Sequence, residues 1–455
     1  MNQGVFDVAV IGCGSTGIAT AYYLARNHGI TNIALIDRGA PMAFTSAHSG
    51  ENYRNWWPHP TMVDFTDRSI DLLEVLALES GNRINLTRRG YALVTREASV
   101  DGLVEELQTG LGDRAETQLR FHDDAAGRHY RRATPRSWEQ APNGVDILRN
   151  PSLIRTVLPS YSYDTRNVVH IRRGGDLSAQ QLGALMLEHL HGAGARRIDG
   201  TVVDIENHAP FEIALEGEAG RTVIEAETLV NAAGPFAGHV AHMMGIALPL
   251  QNVFQQKLAI EDGRGAIPRD MPFSIDLDPI EIAWSDEERE LLRESPDFAR
   301  FTESMPGAIH CRPEGGEHGT WIKMGWAYNE TPAEPTWEPP LDTTFPEIVL
   351  RGASRLNPSL EAYIGRLPRR THHYGGWYTM TEENWPLIGP MGPDGTYMNC
   401  GLSGYGTMTA CAGGELCAAW VAQARLPGYA KEFSLARYDD PELMAVLHAA
   451  NRGIL

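Results

Sequence analysis

The stretch from residue 6 to residue 37 limits the possible folds more than any other part of the chain. Phe6-Asp7-Val8-Ala9-Val10-Ile11 is a short apolar run of buried-strand type, and Gly12-Cys13-Gly14-Ser15-Thr16-Gly17 follows it at once. Ile18-Ala19-Thr20-Ala21-Tyr22-Tyr23-Leu24-Ala25 then has helical spacing, Gly29 reads as its cap, and Asn32-Ile33-Ala34-Leu35-Ile36 forms a second strand ending at Asp37. In this context Gly12 permits the tight turn, Gly14 lets the backbone approach a pyrophosphate, and Gly17 lets helix pack closely on strand. The helix amino terminus offers unpaired N–H groups to phosphates, and Asp37 can accept a hydrogen bond from a ribose hydroxyl. An ordinary glycine turn in a βα unit uses some of the same letters. The full order of strand, glycines, helix, strand and acid points to a dinucleotide, without choosing between a nicotinamide and a flavin.

A chain of 455 residues is too long for one core and implies two domains or an interleaved pair. At 42% hydrophobic and 21% charged it reads as globular, and no apolar run approaches the length of a membrane span. The first strand starts at Val5, leaving no room for a signal peptide, so a cytoplasmic location is expected. The five cysteines Cys13, Cys311, Cys400, Cys411 and Cys417 show neither a CxxC pair nor zinc spacing, which implies reduced thiols and no metal site. A net charge of −19 argues against nucleic acid as a partner. Arg128, Arg131, Arg132 and Arg136 gather around His129 and Tyr130, as a solvated loop or a docking surface for an acidic partner.

Further along, Met62, Phe65, Ile70, Leu73 and Leu76 give one apolar helix face, and Gly90-Tyr91-Ala92-Leu93-Val94-Thr95 reads as a strand. Gly175-Asp176-Leu177 precedes a helix through Leu182, Leu185, Met186 and Leu190; Gly200-Thr201-Val202-Val203-Asp204-Ile205 is another strand. Thr228-Leu229-Val230 runs into Asn231-Ala232-Ala233-Gly234, whose small residues suit either a close approach to a dinucleotide or a plain turn. In Trp321-Ile322-Lys323-Met324-Gly325-Trp326 the alternation puts Lys323 on one face of a strand and Ile322 with Met324 on the other.

Ser46-Ala47-His48-Ser49-Gly50, Asn231-Ala232-Ala233-Gly234-Pro235, the Lys323 run, Tyr378-Thr379-Met380-Thr381 and Gly401-Leu402-Ser403-Gly404-Tyr405-Gly406 resemble, in this order and spacing, the D-amino-acid oxidase superfamily. The branch of monomeric sarcosine oxidase and glycine oxidase is the most similar. The resemblance covers nearly the whole chain apart from an insertion at 262–319. It implies an α/β fold, in which a Rossmann-type FAD-binding domain (1–84, 171–245 and 371–455) interleaves with an antiparallel-sheet α+β substrate domain (85–170 and 246–370).

The resemblance also implies the site. FAD contacts are expected from Gly12, Gly14, Gly17, Asp37, Arg38, Ser46, Ser49, Gly50, Val202, Ala233, Gly234 and Gly376. The loop at Gly401, Ser403, Gly404, Tyr405, Gly406 and Thr407 is expected at the flavin O2 and N1 region. Lys323 is expected beside the flavin ring, where a fixed cation favours reaction with oxygen. Arg54 is a candidate carboxylate partner, because a guanidinium can grip a carboxylate with two bonds. His48 lies in a segment that faces the flavin in relatives, and Tyr378 belongs to the Tyr-Thr-x-Thr run.

Two departures matter. Gly376 stands where sarcosine oxidase has its flavin-linked cysteine, so the FAD is expected to be noncovalent; Met408 stands where that enzyme has a lysine that helps hold the substrate carboxylate. Tyr53, Trp56, Trp57, Trp326 and Tyr378 are expected to wall an aromatic pocket. Within the insertion, Ser285 and Glu288 can form a capping box for a helix acting as a lid or an interface, or as surface decoration. The expected activity is oxidation of an amine or amino acid to an imine with oxygen reduced to hydrogen peroxide. Alternatives are a dehydrogenase passing electrons to a quinone or carrier, and an FAD-binding subunit of a heteromeric complex.

Overall fold

The computed structural model describes residues 5–127, 129–134, 138–206, 208–218, 220–316 and 318–450. Two large sheets organise these residues. The first has eight strands, with Val5–Ile11 at its centre, paired in parallel with Ile33–Asp37 on one side and Gly220–Asn231 on the other. Arg196–Asp199 extends it in parallel beyond Ile33–Asp37, and Thr396–Cys400 pairs in parallel with the end of Gly220–Asn231. Phe6, Ala9, Val10, Ala34 and Leu35 are nearly or completely buried because helices or strands cover both faces.

Helix Ser15–His28 leaves the first strand through the glycine turn and ends at Gly29, which adopts φ 68° and donates its N–H to Ala25 O and Leu24 O. Beside it lies helix Gly406–Val421, buried along almost its whole circumference. The two can approach closely because a Cβ at Gly414 would stand 2.6 Å from the Ala19 carbonyl carbon. Helix Pro60–Ser80 buries Met62, Phe65, Ile70, Leu73 and Leu76, the face that the spacing predicts. Each such side chain contributes about 1.5–3 kcal/mol on burial. Ser178 caps helix Ala179–Ala193 by accepting from the Gln181 N–H.

The second sheet has nine strands, ordered Thr371–Met380, Gln251–Glu261, Trp321–Gly325, Ile309–Glu314, Phe273–Asp276, Tyr91–Thr95, Asn167–Ile171, Val145–Leu148 and Leu119–His122. It is antiparallel except for two parallel pairings, Phe273–Asp276 with Tyr91–Thr95 and Leu119–His122 with Val145–Leu148. One face of its first four strands carries Leu258, Ile260, Ile322, Met324 and Cys311 into a core beneath helix Phe345–Leu356. The other face carries Lys257, Ala259 and Lys323, as strand alternation requires.

Helix Asp286–Glu294 has the expected capping box: Ser285 accepts from the Glu288 N–H while Glu288 accepts from the Ser285 N–H. It buries no residue. Arg351 ties it through Glu288, at 2.7 Å, to helix Phe345–Leu356, on the sheet face opposite Lys257 and Lys323. That placement corrects the lid expectation, since the insertion's helix does not overhang the polar face. Among the described residues no helix is long and apolar enough to cross a membrane, and no group of acidic, His or Cys side chains is arranged to hold a metal. All five cysteines are buried and free. Of the basic cluster, Arg128 and Arg136 lie outside the described residues; Arg131 is exposed, and Arg132 sits 3.7 Å from Asp270.

Candidate functional site

A cavity of about 430 Å³ opens at the carboxyl edge of the first sheet, where the glycine turn meets the other segments singled out in the sequence. Gly12, with φ +108°, sits so tightly that a Cβ would lie 2.3 Å from Ala232 O. Gly17 packs behind it, where a Cβ would meet Gly12 O at 1.9 Å. Gly14 is the helix N-cap and supplies no side-chain bond, so Gly14, Ser15 and Thr16 present helix-terminal backbone to the cavity. Ser46 Oγ accepts from the Ser15 N–H at 3.0 Å, fixing the 45–50 segment against this turn.

Asp37 lines the same cavity and already accepts from the Cys13 N–H at 2.7 Å and the Gly39 N–H at 2.9 Å, leaving its remaining lone pairs for a ligand hydroxyl. Burial, and then the charge of Asp37, push the Cys13 thiol up to about 12, so this cysteine is inert. Arg38 lies 4.2 Å over the Trp337 ring, which stacks on Phe236 at 5.3 Å, and all three line the cavity. Val202, Ala233 and Gly234 also line the cavity, as do Gly401, Ser403 and Gly406.

The remaining expected contacts lie just outside this lining. Ser49 accepts from the Thr407 hydroxyl at 2.8 Å, and Gly50 faces Lys257, with 3.9 Å between a built Cβ and Lys257 Cε. A Cβ at Gly376 would stand 3.3 Å from His48 Cβ and 3.5 Å from Thr45 Cγ2. Gly404 makes room for the Tyr378 ring, which a Cβ would meet at 2.5 Å. Tyr405 is buried, donating its hydroxyl to Asn384 O. Thr45 Oγ1 and Ser403 Oγ are buried with no hydrogen-bond partner among the described residues, and both residues line the cavity. A cavity of this size with a phosphate-accepting turn, a ribose-accepting acid and two orphaned hydroxyls fits a flavin dinucleotide.

The four expected catalytic residues separate into two settings. Lys323 projects from the polar face of the second sheet with its side chain 19% exposed, and pairs with Glu51 at 2.5 Å and Glu314 at 2.8 Å. Burial and the Arg312 charge pull its ammonium down, but Tyr374, Glu314 and Glu51 outweigh them and leave it raised. Burial would raise Glu314, yet Arg312 and Lys323 hold that carboxyl down at about 2. His48 is half-buried, 5.9 Å from the Tyr374 ring, and is lowered by burial, then by Lys257 and His372, so it is neutral at neutral pH. Tyr378 lies on the Thr371–Met380 strand, with Lys257 Nζ 5.2 Å from its ring centroid.

Arg54 is set apart. It is buried among the rings of Tyr91, Trp57 and Trp56, with its Cζ 4.6 Å from the Tyr91 centroid, and burial lowers its pKa. Its backbone N–H meets Met408 Sδ at 3.2 Å, so the position expected to lack a lysine does adjoin Arg54. The expected aromatic pocket is not formed. Tyr53 and Trp57 pack into the core of the first layer, Trp56 into a second cluster and Trp326 beneath helix Phe345–Leu356. Each satisfies a packing demand, and Tyr378 alone of the five is only half-buried.

Sequence reasoning missed Lys257, Glu51 and Glu314. Lys257 was only partly legible: Leu258 and Ile260 mark one strand face and put Lys257 on the other, but the consecutive polar residues Gln255-Gln256-Lys257 blur the alternation. Glu51 carries no local signal: its partners come from far along the chain.

A sequence profile described as DAO, FAD dependent oxidoreductase, matches residues 7–420. The sarcosine oxidase subunit beta of Rhizobium meliloti (strain 1021) is 25% identical over 276 residues, which are 56% of this chain and 56% of that protein. The chain thus matches a little over half the length of this curated relative. Among solved structures, L-proline dehydrogenase from P. horikoshii superposes with a TM-score of 0.71 at 17% identity, covering 96% of this chain and 99% of the other. Glycine oxidase from Geobacillus kaustophilus gives 0.69 at 16% identity, with coverage of 96% and 99%. At these identities the superpositions show a common fold.

Proposed function

The chain belongs to the DAO family of FAD-dependent oxidoreductases, and from that premise we propose that it oxidises the carbon–nitrogen bond of an amine or amino acid. The substrate loses two electrons and two protons to become an imine, water converts the imine to a carbonyl product and an amine, and oxygen takes up the electrons and protons as hydrogen peroxide. Bound FAD supplies the electron-pair acceptor, since no side chain of the twenty can hold such a pair reversibly in this way. The observation that carries the reading is the convergence of the glycine turn, Asp37, and the Gly401–Ser403–Gly406 loop on one cavity, with the polar face of the second sheet adjoining its Thr45 wall.

The roles follow from the surroundings. Gly12, Gly14 and the first turn of helix Ser15–His28 hold pyrophosphate, Asp37 a ribose hydroxyl, and Ser403 with Thr45 the flavin end. The FAD is held without a covalent link, because Gly376 offers no nucleophile. His48, kept neutral, can accept the proton that an ammonium substrate must lose before oxidation. Lys323, fixed between two carboxylates, presents a positive charge to developing oxygen anions. Tyr378 borders the space above Gly404.

One observation favours a second reading. Glu51 and Glu314 offset the Lys323 charge, which weakens its pull on oxygen, so a dehydrogenase serving another acceptor is the runner-up. Anaerobic mixing of the flavin-loaded protein with N-methyl, cyclic, D- and L-amino acids and polyamines, followed by air, separates these. Bleaching by an amine that air quickly reverses supports the oxidase; bleaching that persists in air identifies the dehydrogenase. A flavin bleached by no member of the panel would count against both and favour a subunit of a larger assembly, as the name of the sarcosine oxidase relative suggests for that protein.

A further inference from the structure

The polar face of the second sheet carries two lysines, and their electrostatic situations are opposite. Lys323 belongs to a cluster in which three cations, Arg89, Arg312 and Lys323, face three carboxylates, Asp176, Glu51 and Glu314. That cluster is internally balanced. Lys257 is 5% exposed, and among the described residues its Nζ makes no hydrogen bond and no ion pair. Its neighbours are the Tyr378 ring, at 5.2 Å, and Gly50, with Tyr374 and Gly325 beside it on the flanking strands. The titratable groups its charge acts on are His48 and His310, both made harder to protonate by it. No carboxylate of the described residues meets it.

The Lys257 stem is buried while its ammonium stays open at the tip, and a lysine held on a rigid strand with its charge unmatched by any anion of the described residues marks a place where an anion can arrive. The register fixes where. Lys257 lies opposite Tyr374, two residues from the Gln255–Gly376 pair on the same face, and Gly376 packs against Thr45 of the cavity lining and against His48. The ammonium therefore stands between the flavin end of the cavity, Tyr378 and the imidazole proposed as proton acceptor.

We propose that Lys257 binds the carboxylate of the substrate, so that the protein acts on an amino acid or N-substituted amino acid in preference to a simple amine. This rests on the amine or amino-acid reading above. The carboxylate would become the ammonium's hydrogen-bonding partner, with the Tyr378 ring alongside, which fixes the α-carbon relative to the flavin end of the cavity.

The experiment titrates the flavin-loaded protein with acetate and benzoate, and with the uncharged acetamide and benzamide, following the flavin absorption band. The native protein should respond to the carboxylates and not to the amides. Lys257→Met should weaken carboxylate binding by about 100-fold, the range of a charge-assisted hydrogen bond, at unchanged FAD content and far-UV circular dichroism. Lys257→Arg should recover much of that loss, which a merely structural role for the side chain would not explain. Carboxylate binding undiminished in Lys257→Met, or no response of the native protein to any carboxylate, overturns the assignment. So does loss of reoxidation by air with carboxylate affinity intact, which would make Lys257 an oxygen-facing charge. These titrations need no turnover, so they decide Lys257 even if no amine bleaches the flavin. Conversely, bleaching by an amino acid in a Lys257→Met protein with unaltered affinity would remove this inference and leave the oxidoreductase reading standing.

Discussion

A lysine held between two carboxylates is a fixed charge, and a fixed charge is what a charge-developing reaction can use without reorganising solvent. Lys323→Met is therefore expected to slow air reoxidation of the reduced protein by about 100-fold while leaving anaerobic reduction by substrate within a few-fold. Stopped-flow measurement of the two half-reactions checks this, and equal losses in both would remove Lys323 from the oxygen step. Gly376 makes a separate prediction, because with no thiol at this position acid precipitation should leave all the flavin in the supernatant. The glycine turn was legible because each glycine answers a local demand: Gly12 adopts φ +108° and abuts Ala232 O. Lys323 was placed on the correct face by alternation alone. Arg54 shows the limit, since nothing in its neighbours' letters says that Tyr91, distant in the chain, closes over it.

Elements inherit stability from caps and buried groups that titrate. Ser285→Ala should destabilise helix Asp286–Glu294 by about 1 kcal/mol through loss of the capping box, and turnover should not change, because the helix lies away from the polar face. Local unfolding followed by amide exchange, alongside steady-state rates, reads both effects. The strand Asn167–Ile171 carries His170, fully buried, with its rings' nitrogens against Arg89 O and the Tyr130 hydroxyl. Burial, and next the Arg172 charge, lower it to about 3. Its folded pKa lies below the unfolded value near 6.5, so the unfolded chain takes the proton first as pH falls. Stability from His170 is complete above about 6.5 and declines by about 1.4 kcal/mol per pH unit down to about 3. Denaturant unfolding across that window should show a shallower slope, by one proton, in His170→Gln. The capping box could be read from Ser285 and Glu288 because both partners lie within one turn. The position of that helix could not, since Arg351 fixes it from a segment more than sixty residues on.

The two sheets meet through side chains that no local pattern announces, and Glu51 is the clearest of them. One of its carboxylate oxygens accepts from the Ala179 N–H at 2.9 Å, at the start of a helix packed on the first sheet; the other accepts from Lys323 of the second sheet at 2.5 Å. Arg312 of the second sheet adds a contact at 3.6 Å and donates to Gly50 O at 2.9 Å. The loop that bears Ser46 and His48 is thereby pinned to both layers. Neutralising Glu51 leaves Arg89, Arg312 and Lys323 with two carboxylates, a buried excess of positive charge beside the unmatched Lys257. Glu51→Gln keeps the shape and a hydrogen-bond acceptor, so its effect isolates the charge. Removing one partner of a buried pair costs about 3–5 kcal/mol, and the partial exposure of Glu51 places the expected loss at about 2–3 kcal/mol. Flavin release and protein unfolding should then move to lower denaturant together, because one residue couples the cofactor loop to both sheets. Loss of flavin at a lower denaturant concentration, with the unfolding of both sheets unmoved, would mean that Glu51 braces the loop alone and that the layers hold together by their apolar cores.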